Sequence, residues 1–195
     1  MSAGSLAEQR IVAAALELIA ERGISGVTMS AVAERAGVAR QTLYNHFADV
    51  DTIVAAVYER HLAEALAQLR QVLEAVRGPE ARLALFVRHQ VAAIAHSEHA
   101  MIQGTSLSPA VRQRVQHHHQ ELAAFLESIL RDGVEAGVFR RGLDVWASAL
   151  FTLHLMSAAS ELVAERGDIA SVAEAAETMV LGGVGLVCRR EAAGA

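Results

Sequence analysis

The stretch from Val27 to Phe47 constrains this chain more than any other, because it decodes residue by residue as two short helices around one tight turn. Thr28 or Ser30 can cap the first helix by accepting a hydrogen bond from its free N–H groups, and Met29, Val32, Ala33 and Ala36 recur along one helical face. Gly37 lets the chain leave that helix sharply, and the small Ala33 allows the second helix to approach closely. The second helix is expected from near Ala39, with Ala39, Leu43 and Phe47 inward and Arg40, Gln41, Tyr44 and Asn45 together on the opposite side. The pattern predicts a helix-turn-helix.

A polar strip of that composition suits the major groove of double-stranded DNA. Arg forks onto guanine, Gln and Asn pair bidentately with adenine, and Thr42, Tyr44 and His46 carry donors for phosphate oxygens. On these residues alone an ordinary helical hairpin with a solvated face stays open as the alternative.

Upstream, Arg10 to Gly23 reads as an amphipathic helix with Ile11, Ala15, Leu18 and Ile19 inward and Gly23 as its stop, a third helix for the hairpin to pack on. From Arg10 to Phe47 the chain resembles the DNA-binding domain of the TetR family of bacterial transcriptional regulators. The resemblance rests on Ala14-Ala15, Gly23, Ala36-Gly37-Val38 and Thr42-Leu43-Tyr44-Asn45-His46-Phe47, in the family's order and spacing. It implies an all-α protein of about nine helices, with a helix-turn-helix domain over 1–48, a ligand-binding and dimerisation bundle over 49–190 and a flexible tail over 191–195. It also implies a homodimeric, cytoplasmic regulator, most often a repressor in this family, which a small-molecule effector releases from a palindromic operator. Thr28, Arg40, Gln41, Thr42, Tyr44, Asn45 and His46 are the expected DNA-contacting residues.

Two features depart from a simple DNA binder. Family members often carry a Lys shortly after the His-Phe pair, opening the fourth helix beside a phosphate, whereas this chain runs Ala48-Asp49-Val50-Asp51-Thr52. The N–H groups at that helix start can still face a phosphate, but Asp49 and Asp51 oppose it. Residues 1–50 hold four arginines against five carboxylates, so no basic footprint is present and weak nonspecific binding is expected.

At 195 residues the chain can hold a second, larger helical lobe; hydrophobic residues reach 53%, and the two prolines are Pro79 and Pro109. No strand pattern is visible. Lone Cys188 can form no intrachain disulfide, no secretion signal is expected because no cationic segment is followed by a long apolar run, and no apolar run is expected to come close to a bilayer span without Gly or charge. Helices are expected over Thr52 to Val76, Pro79 or Glu80 to Ser97, a broken piece around Met101 to Leu107, Pro109 to Ala136, Leu143 to Glu165, and Ile169 to Cys188.

The last two helices carry the dimer signal, with Trp146, Leu150 and Leu153 on one and Met179, Gly182, Gly183 and Leu186 on the other. Glycines within a helix cost about 1 kcal/mol each relative to Ala, and close approach of a partner backbone would account for them. Leu85, Phe86, His89, Met101, Phe125 and His154 are the expected walls of an effector pocket, with His89 or His154 orienting an apolar ligand. The nine histidines also admit a metal-responsive regulator, although their spacings match no dedicated metal motif, and neither a metal nor another cofactor is expected. An enzyme is disfavoured because no nucleophile and base stand at a recognisable spacing, and a helical interaction protein without DNA affinity remains the other alternative.

Overall fold

The computed structural model describes residues 3–96 and 108–185. Among them the chain is all-α, with eight α-helices: α1 (Ala3–Arg22), α2 (Met29–Ala36), α3 (Arg40–His46), α4 (Val50–Glu74), α5 (Pro79–His96), α6 (Pro109–Glu135), α7 (Val145–Arg166) and α8 (Ile169–Val184). A short 3-10 turn, Ile24–Gly26, follows α1. The broken piece expected around Met101 to Leu107 lies outside the described residues, as does Cys188.

Helix starts follow local chemistry. Asp144 and Asp168 cap α7 and α8 by accepting from the N–H groups of Ala147 (2.9 Å) and Ser171 (3.1 Å). Helix α7 therefore begins at Val145 rather than Leu143. Helix α8 stops at Val184, because Gly185 takes the left-handed conformation (φ 62°) as its C-cap. Pro79 and Pro109 each occupy a first helical position, where a missing N–H costs nothing.

Two compact units emerge. The first joins the chain up to Ala65 with the opening of α6 through His119; the second takes the rest of α4, α5, the remainder of α6, α7 and α8. This differs from a division at residue 48, because Ile53, Val54, Val57 and Tyr58 of α4 are buried in the same core as Ile11, Leu18, Val32, Leu43 and Phe47. The end of the DNA-binding motif is thus not the end of its hydrophobic core. In the second unit, α5 packs on α7 and α8 around Leu83, Phe86, Val91, Ile129, Met156 and Val180.

Helix α7 is the one described helix long and apolar enough to cross a membrane, on length and composition alone, and that run includes a charged residue, Glu161. Glu161 is the one Asp, Glu, Lys or Arg among its first twenty residues, which also hold Ser148, Thr152, His154, Ser157 and Ser160. Its composition reflects two apolar faces: Ala149, Met156, Ala159 and Val163 enter the core, while Trp146, Phe151 and Leu162 are exposed.

One close approach fixes the end of α6. A Cβ placed on Gly133 would lie 2.0 Å from Cδ2 of Phe139, whose ring is fully buried, and the Val138 and Phe139 N–H groups both donate to the Gly133 carbonyl (2.9 and 3.0 Å). Gly133→Ala should therefore destabilise the protein by about 1–3 kcal/mol through overpacking, read as a lower urea midpoint at unchanged helix content.

Candidate nucleic-acid interface

The reading head is assembled from α1, α2 and α3. Thr28, in extended conformation, caps α2 by accepting from the Ala31 N–H at 3.2 Å, which leaves Ser30 free of that role. Gly37 closes α2 in the left-handed conformation (φ 61°), with its N–H on the Glu34 carbonyl (3.1 Å) and the Val38 N–H on the Ala33 carbonyl (3.0 Å). Arg10 of α1 then donates through Nη2 to the carbonyls of Ala36 and Gly37, the second at 3.1 Å. A cation on the carbonyl end of a helix is favourable twice over, by hydrogen bonding and by the helix dipole.

A second clamp joins α1 to α2. Arg35 grips Glu21 bidentately (2.8 Å on both oxygens) and reaches Glu17 at 3.2 Å. The hydrogen bond from Arg35 holds the Glu21 carboxyl below its ordinary range, and the two carboxylates raise the guanidinium in turn. Arg10 and Arg35 thus hold the hairpin together while staying exposed at its surface.

Helix α3 begins at Arg40. Ala39 stands outside it as the N-cap and is exposed, so it does not join the inward face expected of it; Leu43, fully buried, and Phe47 carry that face alone. A methyl group is too small to dictate which way a helix end turns. Arg40, Gln41, Tyr44 and Asn45 are exposed together, Tyr44 by 54%, with Thr42 and His46 half-buried on the flanks. Within the strip, the Gln41 amide nitrogen donates to Asn45 Oδ1 at 3.1 Å, and Arg40 Nη2 donates to Ser30 Oγ at 2.9 Å. The first bond couples the sense of the two amides, so that when Gln41 donates it keeps its carbonyl oxygen and Asn45 its NH₂ for another partner.

The start of α4 is closed. Asp49 Oδ1 accepts from the Thr52 N–H at 2.8 Å, and the Asp49 N–H donates to Thr52 Oγ1 at 3.3 Å, a reciprocal capping box. The N–H group that a phosphate could have used already has a carboxylate on it, and the sequence pattern Asp-x-x-Thr was the signal for this.

The C-terminal candidates are only partly brought together. Phe86 is fully buried with its ring centroid 6.3 Å from that of half-buried Phe125, over which the Arg70 guanidinium lies at 5.4 Å. Leu85 is half-buried one turn before His89, whose Nδ1 is enclosed without a hydrogen-bond partner. His154 is exposed, and its Nδ1 pairs with the Leu150 carbonyl at 2.8 Å, so it does not stand beside His89 in an interior pocket. Met101 lies outside the described residues. A recess of about 320 Å³ opens beside Pro79, Val138 and Glu177, away from these residues. Among the described residues, no three His, Cys, Asp or Glu side chains gather into a metal-binding group.

Trp146 (63% exposed) and Met179 (64%) stand out from α7 and α8, with Leu150 and Leu153 half-buried. Cβ atoms added to Gly182 or Gly183 would meet nothing within 4 Å, so no neighbour in this chain requires those glycines. Gly185 is a cap rather than part of the helix, and Leu186 lies outside the described residues. Phe151, exposed by 75%, and Leu162 are apolar surface residues that the sequence reading passed over. With Leu155 and Ala158 they recur at helical spacing along α7, and that recurrence was the available signal.

Comparison with known proteins places both units. Residues 11–57 match the bacterial regulatory proteins of the tetR family, and residues 76–184 match the tetracyclin repressor-like C-terminal domain. The chain is 26% identical over 141 residues to the fatty acid metabolism regulator protein of Bacillus subtilis, covering 70% of this chain and 72% of that one. It is 28% identical over 137 residues to the transcriptional repressor KstR2 of Mycobacterium tuberculosis, covering 67% and 68%. In fold it is similar to the transcriptional regulator FadR of Bacillus subtilis in complex with stearoyl-CoA, with a TM-score of 0.70, 20% identity, and coverage of 90% of this chain and 98% of that chain.

Asp49→Ser keeps a capping oxygen and removes the charge, so affinity for an unrelated DNA duplex at low ionic strength should rise about 2- to 5-fold, as expected for one charge at a helix end. Fluorescence anisotropy measures it, and an unchanged affinity would place the α4 start away from DNA.

Proposed function

The chain belongs to the TetR family of bacterial regulatory proteins, and we propose from that premise that it is a homodimeric, cytoplasmic repressor released from a palindromic operator by a small organic ligand. The observation that carries the reading is the exposed strip of Arg40, Gln41, Tyr44 and Asn45 on a helix locked from behind by Leu43. Arg40 is assigned to a guanine and the Gln41–Asn45 pair to an adjacent base, with Thr28, Thr42, Tyr44 and His46 on phosphates. Because Arg10 and Arg35 are engaged within the hairpin, discrimination rests on base contacts more than on bulk attraction.

The dimer is assigned to the apolar face of α7 and α8. A second copy would cover Trp146, Phe151, Leu162 and Met179 and account for the bare Gly182 and Gly183. The effector is assigned to the interior of the C-terminal unit near Phe86, Phe125 and His89, where two aromatic rings pack together and the enclosed His89 Nδ1 has no hydrogen-bond partner. An apolar organic molecule fits that chemistry, and a regulator of similar fold binds stearoyl-CoA, which makes an acyl thioester a first candidate to test. An effector preferring the released state by about 1–3 kcal/mol would weaken operator binding about 5–150-fold.

Selection from a randomised duplex library with the full-length protein tests the reading: an inverted repeat should be enriched, and no enrichment would favour a helical interaction protein. Gly182→Leu should dissociate the dimer while leaving helix content nearly intact, seen as a shift to monomer in sedimentation. An undisturbed dimer would move the interface elsewhere.

A further inference from the structure

Ser30 is exposed on the first turn of α2 but does not cap that helix, because Thr28 does. Its hydroxyl instead accepts from Arg40 Nη2 at 2.9 Å, joining the start of α2 to the start of α3 across ten residues of sequence. We propose that Ser30 is a positioning residue for DNA readout: its hydroxyl holds the Arg40 guanidinium in the attitude that forks onto a guanine, so discrimination at that base pair depends on both residues. The inference rests on the assignment of Arg40 to a base.

The chemistry of the partner matters. Each of the other arginines of the reading head lies against a carboxylate or a helix-end carbonyl: Arg10 on Ala36 and Gly37, Arg35 on Glu17 and Glu21, Arg22 at 3.9 Å from Glu21. Arg40 has a hydroxyl. A carboxylate would hold it as firmly and cancel its charge, whereas a neutral acceptor orients it and leaves its attraction for DNA intact. One bond to Ser30 occupies one of the five guanidinium N–H groups, and a parallel pair remains for O6 and N7 of guanine. Free Arg is a rotamer-rich side chain, and ordering it in advance removes part of what base recognition would otherwise cost. Ser30 also keeps its own O–H, so a direct phosphate contact is the rival role.

The test is selection on one randomised duplex library by full-length wild type, Arg40→Ala, Ser30→Ala, Ser30→Thr and the double Ala variant, with bound sequences counted and helix content checked by circular dichroism. Arg40→Ala should flatten the preference at one base pair of each half-site. Ser30→Ala should reduce the preference at that same position about 2- to 12-fold, the range set by ordering one rotamer-rich side chain, and leave other positions unchanged. Ser30→Thr, which keeps the hydroxyl, should retain it, and the double variant should match Arg40→Ala. A full preference in Ser30→Ala would overturn the proposal while leaving Arg40 as reader. Equal loss on all sequences would overturn it in favour of a phosphate contact. If Arg40→Ala flattens no position, the base assignment fails, and the Ser30 proposal falls with it.

Discussion

Everything this protein can offer to DNA depends on the left-handed turn at Gly37. With φ at 61°, it sets the direction in which α3 leaves α2, and α3 is too short, at seven residues, to hold a direction by itself. Arg10 closes over that turn from α1, and Leu43 anchors α3 into the core beneath it. The outward strip is therefore a consequence of inward constraints: rotate α3 by one residue and both the buried Leu43 and the exposed Tyr44 lose their places. Any side chain at Gly37 would meet the Arg10 guanidinium at 2.9 Å as well as an unfavourable backbone conformation.

The first unit was largely legible in the sequence because its signals are local. Caps, a turn glycine and a run of three or four inward residues can be read from spacing alone, and Ile11, Ala15, Leu18, Ile19 and Leu43 are buried as that spacing requires. What escaped was long-range or indifferent. Arg10 meets a turn 27 residues away, and nothing near it in sequence announces a carbonyl pair. Ala39 fits either side of a helix end, so its exposure is decided by the chain path. The Gly133 and Phe139 contact was invisible for a related reason: a glycine near a helix end reads as a weak point, and only the fold reveals a ring in the place of its side chain.

The second unit was legible as helices but hardly as a site. An aromatic inside an apolar helix reads the same whether it fills a core or lines a cavity, and Phe86 and Phe125 do pack on one another. Histidine is equally ambiguous, since His154 satisfies its ring on its own helix while His89 leaves Nδ1 enclosed and unpartnered. The glycines of α8 were informative for the opposite reason, because a helix that tolerates two bare, exposed glycines has no use for them within its own chain.

The reciprocal cap of Asp49 and Thr52 has a consequence for how such a regulator travels. On the proposed reading, a protein with a carboxylate at the start of α4 and with Arg10 and Arg35 paired to its own carbonyls and carboxylates displaces few counterions from arbitrary sequence. Such a regulator would be held loosely by the bulk of the chromosome, slide over short distances and return to solution often. Each copy would then meet its sites by repeated landings rather than long excursions along the duplex, and few copies would be lost to the very large reservoir of wrong sequence.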